Sequence, residues 1–493
     1  MPRSRVLLGW IVLDSSDPSP LYRQLYSELR TSILSGQVSA ESLLPSSRTL
    51  SRELGVSRNT VLNAYDQLLA EGYLKTSEGS ATMVARLSSA AKRPVGSPGA
   101  SEILPISKRG LEIRRSLTES MTFPEELAFA PGVPAFDEFP VKKWARLLIV
   151  QAQRMRPEMA DNDSHPGGYG PLREELASYL RSSRMVACDP DQVFVVGSAR
   201  AGLDLICRLI ADPGEQCLME EPGYITAKDV MQAAGLKIVP IPVDAQGLRI
   251  SLAAQKAPEA KLAFVTPTHQ WPTGVALSAS RRQQALEWAE RRNGWIIEDD
   301  YDSEFRFDSP PLAALQGLDG GQRVLFIGTF SKVLFPSLRT AYIVVPKSLI
   351  PLVRHAVFCS GQEPPLHIQA TLAEFIREGY FFSHIRRMRR VYKRRRTIFV
   401  EALKRYLGDR MPIEPPPGGM QLALPLPEGI SAGCVSRHAV AVGLHVRAIN
   451  MYALTDTAPN ALHLGFAAVP DHQIDPATKA LAEAVFETDK PVP

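Results

Sequence analysis

From about residue 125 to the end of the chain, short apolar runs recur with helical stretches between them, and this alternation most constrains the fold. Segments 193–196, 216–220, 237–240, 262–266, 294–298, 324–328 and 341–345 read as strands. Helices fill several gaps, as over 200–210 and 280–292. Strands separated by helices cannot pair as hairpins, so the sequence predicts an α/β domain with a mostly parallel sheet sandwiched by helices. In such sheets ligands bind at the carboxyl ends of the strands. Residues 124–183 and the chain after about 365 are expected to form a smaller flanking subdomain.

The first 85 residues follow another pattern. Leu21, Leu25, Leu29 and Ile33 recur every four positions, the stripe of an amphipathic helix that Gly36 ends. A second helix is expected after Leu44-Pro45, capped by Ser46 or Ser47 and broken at Gly55. A third opens at Ser57 and runs to residue 70 or 71, with Val61, Ala64, Tyr65 and Leu68 on one face and Asn59 and Asn63 turned away. Residues 72–74 and 82–84 read as two short strands around a turn at 78–80. This order fits a DNA reader whose third helix enters the major groove. Arg58 could fork onto a guanine, and Ser57, Asn59 and Thr60 could reach phosphates or base edges. A helical accessory domain fits as well, and charge does not separate the two: residues 1–80 hold eight Lys/Arg and eight Asp/Glu.

Between them, 86–118 carries Pro94, Gly96, Pro98, Gly99 and Pro105 among several serines, with seven basic residues against two acidic. It reads as a solvated, extended tether, or as a segment that tracks DNA phosphates. The chain thus divides into 1–85, a small helical domain open to either reading; 86–118, a basic linker; and 119–493, the large domain. At 493 residues it is about three times the ~150 expected of one domain. A net charge of +4 says little about partners. The apolar run 6–13 is under half the ~20 residues of a bilayer span and lacks a cleavage site, so neither membrane insertion nor secretion is expected. Cys188, Cys207, Cys217, Cys359 and Cys434 have no metal-ligand or redox spacing. They read as buried small hydrophobes in a reducing cytoplasm, and no metal site is expected.

The strand ends carry the chemistry. Gly328-Thr329-Phe330-Ser331-Lys332 closes one strand, and Lys332 with Arg339 offers an imine-forming amine and a phosphate-binding cation. Glu298-Asp299-Asp300-Tyr301-Asp302 closes another with acids that need a cation, such as a protonated pyridine nitrogen. Gly197-Ser198-Ala199-Arg200 opens a helix whose amides and hydroxyl could cradle a phosphate. The run 386–396, with eight Lys/Arg, reads as a solvated helix face sooner than as a second DNA contact.

Residue strings narrow these alternatives. Pro20-Leu21-Tyr22-Arg23-Gln24-Leu25, Leu44-Pro45-Ser46-Ser47-Arg48, Leu54-Gly55-Val56-Ser57-Arg58-Asn59-Thr60-Val61 and Ala64-Tyr65 resemble the winged helix of the GntR regulators. That resemblance implies DNA contacts from Arg48, Ser57, Arg58, Thr60 and Gly79. The wing string Gly-Ser-Gly-Thr stands here as Gly79-Ser80-Ala81-Thr82, a departure at the wing tip. The large domain resembles the fold type I aminotransferases through His165-Pro166-Gly167-Gly168-Tyr169-Gly170-Pro171-Leu172-Arg173, Glu221-Pro222-Gly223-Tyr224, Gln270-Trp271-Pro272-Thr273-Gly274 and the string from Ser331 to Arg339. Together the two halves look like the MocR subfamily of GntR regulators.

This resemblance implies pyridoxal 5′-phosphate (PLP) as cofactor, held by Lys332 as a Schiff base. Asp299 would pair with the pyridine nitrogen and Tyr301 with the ring's phenolic oxygen, while Tyr224 stacks on the ring. Ser198, Thr329 and Arg339 would hold the phosphate, with a backbone amide from Ala199. Tyr169 would reach a partner's cofactor in a head-to-tail homodimer. Two positions depart from the enzyme pattern. Asn-Pro-Thr-Gly is Trp271-Pro272-Thr273-Gly274, and Leu-Arg-Leu-Gly-Phe is Leu462-His463-Leu464-Gly465-Phe466. A histidine cannot replace the bidentate fork of an arginine on a substrate carboxylate, and Arg447 is a possible stand-in. The expected function is a PLP-dependent transcriptional regulator on double-stranded DNA. It would sense PLP itself or an amine such as an amino acid, γ-aminobutyrate or taurine. The rival is a working aminotransferase with an accessory DNA-binding head, and His463 argues against efficient turnover.

Overall fold

The computed structural model describes residues 8, 10–77, 81–86, 106–107, 109–111, 113, 128–155, 157–307, 312–408, 411 and 413–487. The chain separates into two compact units, 1–104 and 105–493.

In the first unit, helix α1 spans Leu21–Ser35 and stops at Gly36, whose φ of 79° is left-handed. Helix α2, Ser47–Leu54, starts where the Ser46 hydroxyl accepts from the Thr49 N–H, and it ends at Gly55. Helix α3, Arg58–Ala70, starts the same way, with Ser57 accepting from Thr60. Val61, Ala64, Tyr65 and Leu68 are buried in α3, while Asn59 and Asn63 are exposed, as the 3.6-residue period requires. Strands β1 (Leu74–Ser77) and β2 (Ala81–Val84) pair antiparallel, the first lying further along the chain than expected. Leu43 bridges Met83 as a short third edge. Leu8 and Ile11, from the early apolar run, are buried in this core.

The second unit opens with α4 (Val141–Gln153) and α5 (Gly170–Arg184). Then come β3 (Val193–Val196), α6 (Ala199–Ile210), β4 (Gln216–Glu221), α7 (Ile225–Ala233), β5 (Lys237–Asp244), β6 (Gly247–Leu248) and β7 (Leu262–Val265). After α8 (Ala279–Arg292) follow β8 (Trp295–Asp300), β9 (Val324–Thr329) and β10 (Ala341–Val344). The eight strands lie in the order β3-β10-β9-β8-β7-β4-β5-β6. Neighbours from β5 through β9 pair in parallel, while β10 and β6 run antiparallel to theirs. Every residue of β3, β7 and β10 is buried, which is why such strands read as apolar runs without alternation.

Helices α9 (Ile350–Ser360), α10 (Leu366–Arg377) and α11 (Tyr380–Leu407) lead to the flanking layer. There β11 (Gln421–Pro425), α12 (Ala432–Ala441), β12 (Arg447–Ala448), β13 (Ala461–Gly465) and α13 (Asp471–Glu487) build a three-stranded sheet, β11-β13-β12, backed by helices. One continuous core joins this layer to α4, α5 and α11.

Two expectations need correction. The basic run on α11 is solvated only in part: Arg386, Arg387, Arg390, Lys393 and Arg394 are exposed, while Arg395 and Arg396 are buried. Arg395 is 2% exposed and reaches Asp137, Asp471 and the Ala467 carbonyl, and Arg396 stacks on Phe307 and donates to the Pro416 carbonyl. Arg387 meets Glu138, Arg394 meets Asp471, and Arg389 donates to the Glu304 carbonyl. The run therefore ties α11 to its neighbours by charge-assisted bonds. Among the cysteines, Cys188, Cys207 and Cys217 are buried, but Cys359 is exposed and Cys434 half-buried. No described helix is long and apolar enough to cross a membrane, and no described cluster of His, Cys, Asp and Glu could hold a metal.

Candidate functional site

The carboxyl ends of β3, β4, β7, β8 and β9 converge on a cavity of about 440 Å³, within the range of small-ligand sites. Its lining includes Ser198, Ala199, Arg200, Tyr224, Trp271, Asp299, Tyr301, Thr329, Lys332, Arg339, His445 and Arg447. Sequence reasoning named eight of these as one site, and the topology brings them together. Ser198 caps α6, its hydroxyl accepting from the Ala201 N–H, so the first turn of α6 points its amides into the cavity. Arg339 has a left-handed φ of 49°, a costly conformation for a residue with a Cβ. Lys332 approaches Gly132 so closely that a Cβ there would lie 3.1 Å from Nζ and 3.0 Å from the Trp271 ring. Gly132 also has a positive φ of 69°, so both space and backbone exclude a side chain.

Asp299 sits on the cavity wall, 7% exposed, and its Oδ1 has no hydrogen-bond partner among the described residues. Burial, aided by the negative charges of Asp300 and Glu220, pushes its carboxyl up to about 7, and Lys332 pulls the other way. Behind it, Glu220 accepts from the Thr266 hydroxyl at 2.6 Å and from Gln270, and Asp300 pairs with Arg184 at 2.8 Å. The site fits a buried cation that meets Asp299 and an anion that meets Arg339 and α6.

An aromatic box closes the inner end. Trp271 packs edge-on against Tyr224, Tyr301, Tyr452 and His463, with ring centroids 4.7 to 6.0 Å apart. Its indole N–H has no partner among the described residues. The Tyr301 hydroxyl lies 3.1 Å from His269 Nδ1 and accepts from Gln421 Nε2 at 3.3 Å, and Asp302 fixes the same His269 nitrogen at 3.0 Å. His463 is fully buried, and burial, with the charge of Arg447, holds its imidazole well below the usual range. Its Nδ1 lies 3.0 Å from the Tyr452 hydroxyl. His269, Tyr452 and His445 were not anticipated, because long-range pairing delivers them and no local string marks them. Tyr169 stands apart from the cavity lining of a single chain, at the start of α5, where its N–H donates to Gln369.

In the small unit, Arg48 and Arg58 are exposed in the first turns of α2 and α3, and Arg58 donates to the Ser47 hydroxyl at 3.3 Å. Ser57 is exposed and Thr60 half-buried, their hydroxyls 2.8 Å apart. Gly79 lies outside the described residues.

Residues 21–84 match the family of bacterial regulatory proteins of the gntR type, and residues 125–481 match aminotransferase class I and II. The chain is 41% identical to the probable rhizopine catabolism regulatory protein MocR of Rhizobium meliloti, over 95% of this chain and 93% of that one. It belongs to the MocR subfamily of GntR-type transcriptional regulators. A second member, the pyridoxine biosynthesis transcriptional regulator PdxR of Corynebacterium glutamicum, is 31% identical over 96% of this chain and 97% of its own. For this MocR-type chain, a similar solved structure is the kynurenine aminotransferase of Pyrococcus horikoshii in complex with PMP. The TM-score is 0.70 at 26% identity, covering 78% of this chain and 98% of that one.

Proposed function

We propose that this regulator binds PLP in the cavity at the strand ends and couples its occupancy to DNA binding by the winged helix. The observation that carries this reading is the unpartnered, buried Oδ1 of Asp299 on the same wall as Lys332, Thr329 and Arg339. A buried carboxylate without a cation is costly, and a protonated pyridine nitrogen removes that cost. PLP would supply a carbonyl that reacts with amines. Asp299 would accept a hydrogen bond from the pyridinium N–H and keep the nitrogen protonated, and Ser198, Thr329, Arg339 and the Ala199 amide would hold the phosphate. Tyr224 covers one face of the ring, Tyr301 serves the phenolic oxygen, and Lys332 provides the amine.

Two chains would act as a head-to-tail homodimer in which Tyr169 reaches the partner's cavity. Arg48, Ser57, Arg58, Thr60 and Gly79 would contact double-stranded operator DNA. Relatives bear names tied to rhizopine catabolism and to pyridoxine biosynthesis, so the signal is PLP itself or an amine that reacts with it. Such a signal acts only through a difference in affinity between two arrangements of the dimer.

The test is the visible spectrum of purified protein with added PLP, beside Lys332→Ala. A yellow band removed by borohydride and missing in the variant supports the reading. No band at excess PLP would make the large domain a scaffold for some other ligand.

A further inference from the structure

Tyr301 lines the cavity, and its hydroxyl has two partners among the described residues, His269 Nδ1 at 3.1 Å and Gln421 Nε2 at 3.3 Å. Which of these groups donates decides where the Tyr301 hydrogen points. Burial, with the charges of Asp302, Asp299, Glu220 and Asp300 around it, pushes the Tyr301 phenol well above its usual range, so the hydroxyl keeps its hydrogen.

Asp302 decides the His269 side. Its Oδ2 lies 3.0 Å from the same Nδ1, and both side chains are buried. A bare Nδ1 would set lone pair against lone pair there, whereas an Nδ1–H donates to the carboxylate and faces the Tyr301 oxygen as well. The other ring nitrogen, Nε2, is buried without a partner among the described residues. Buried N–H groups are orphaned more rarely than buried acceptors, which again puts the ring proton on Nδ1. Arg306 lines the same small pocket as His269 and Asp302, and its charge disfavours a second proton on the ring. Gln421 follows the same logic. Its Oε1 is buried and unpartnered, and turning the amide around would orphan the NH2 group instead. Both neighbours thus present an N–H to the Tyr301 oxygen, and neither takes its hydrogen.

We infer that His269, with its proton held on Nδ1 by Asp302, is a positioning residue that turns the Tyr301 O–H into the cavity as a fixed donor. A ligand seated there must bring an acceptor. The inference rests on the PLP reading for that acceptor, the phenolic oxygen of the ring. A donor on this oxygen draws off charge that would otherwise hold a proton on the Lys332 nitrogen beside it. Losing the donor should raise the pH at which the yellow band is lost by about one unit, the scale of one hydrogen bond.

The band is titrated with pH in PLP-loaded wild type, His269→Leu, Tyr301→Phe and the double variant. Each single variant is expected to lose the band about one unit higher than wild type. The double variant should match Tyr301→Phe alone, because His269 acts through Tyr301. A wild-type midpoint in His269→Leu, or shifts that add in the double variant, overturns the inference.

Nitrogen-15 spectra of histidine-labelled, cofactor-free protein read the ring without PLP, the His269 signals being those absent in His269→Asn. A proton on Nδ1 is expected, and a proton on Nε2 alone would overturn the inference whatever the cofactor. A proton on Nδ1 beside a missing PLP band would sink the cofactor reading and keep Tyr301 as a donor into the cavity. A PLP band that titrates alike in wild type and His269→Leu would sink the role of His269 alone.

Discussion

Arg184 closes a buried ion pair with Asp300, Nε to Oδ2 at 2.8 Å, one residue along β8 from Asp299. The same guanidinium donates to the Leu312 carbonyl and to the Thr268 hydroxyl, so it holds three segments beneath the cavity. Arg184→Leu strands the Asp300 carboxylate in the interior, a loss of about 3–5 kcal/mol. It also leaves the Asp300 charge, which raises the Asp299 carboxyl, unpaired beside it, so PLP affinity is expected to fall with stability. Urea unfolding and PLP titration check the two effects. In the double variant Arg184→Leu/Asp300→Leu much of the stability should return, because no charge is left unpaired.

The raised carboxyl of Asp299 fixes the sign of a pH effect. Its folded value of about 7 exceeds the ordinary 3.8, so between those values the folded chain binds more protons than the unfolded one. Stability of the cofactor-free protein therefore falls as pH rises from about 4 to 7 and levels off above. Glu220, Glu298 and Glu304, each pushed up to about 7 by burial, act in the same direction. Asp299→Asn removes one such charge and should stabilise the cofactor-free protein at pH 8, on the order of 2 kcal/mol, while weakening PLP binding. Thermal unfolding between pH 5 and 8, with and without PLP, checks both. A variant less stable than wild type at pH 8 would contradict it.

Most of the cavity was legible because its residues follow strands buried on both faces. Such strands stand out as apolar runs, and the polar residue after each run marks the strand end, as with Asp299 after Ile296-Ile297 and Lys332 after Phe326-Ile327. The inner wall was legible only in part: Trp271, His463 and Arg447 stood out in the sequence, but not how they meet. Arg447 and His463 are sixteen positions apart and meet only through the β12–β13 register, and His269 reaches Tyr301 across two parallel strands. The burial of Arg395 within the run on α11 was hidden for the same reason. Its partners Asp137 and Asp471 lie far along the chain, so no local string marks it as buried.

His269 lies where a side chain on Gly419 would intrude. A Cβ there would sit 2.1 Å from the imidazole Cε1, and the backbone φ of 80° is left-handed. Gly419→Ala should displace His269 from Asp302 and Tyr301 and destabilise the fold by about 1–3 kcal/mol. Gly274→Ala meets the same ring at 3.1 Å, so the milder effect is expected there. Melting temperatures of the two variants, compared with their PLP affinities, test whether the His269 seat serves Tyr301 or only the packing.

At the start of α3, adjacent residues are expected to divide the work between stability and DNA. Ser57 accepts from the Thr60 N–H at 3.1 Å and so satisfies an amide that the helix leaves unpaired. Ser57→Ala should cost about 1 kcal/mol of the small domain's stability. Arg58 is exposed, with a single 3.3 Å contact to Ser47, so Arg58→Ala should leave stability within about 0.5 kcal/mol. Its effect is expected on DNA binding. Fluorescence anisotropy with mixed-sequence duplex across a salt series separates the roles. Arg48→Ala, if Arg48 meets a phosphate, lowers the salt slope by about one. Arg58→Ala, if Arg58 reads a base, costs little on mixed sequence but about 1–3 kcal/mol on the selected operator. Equal losses on both DNAs would place Arg58 on the backbone as well.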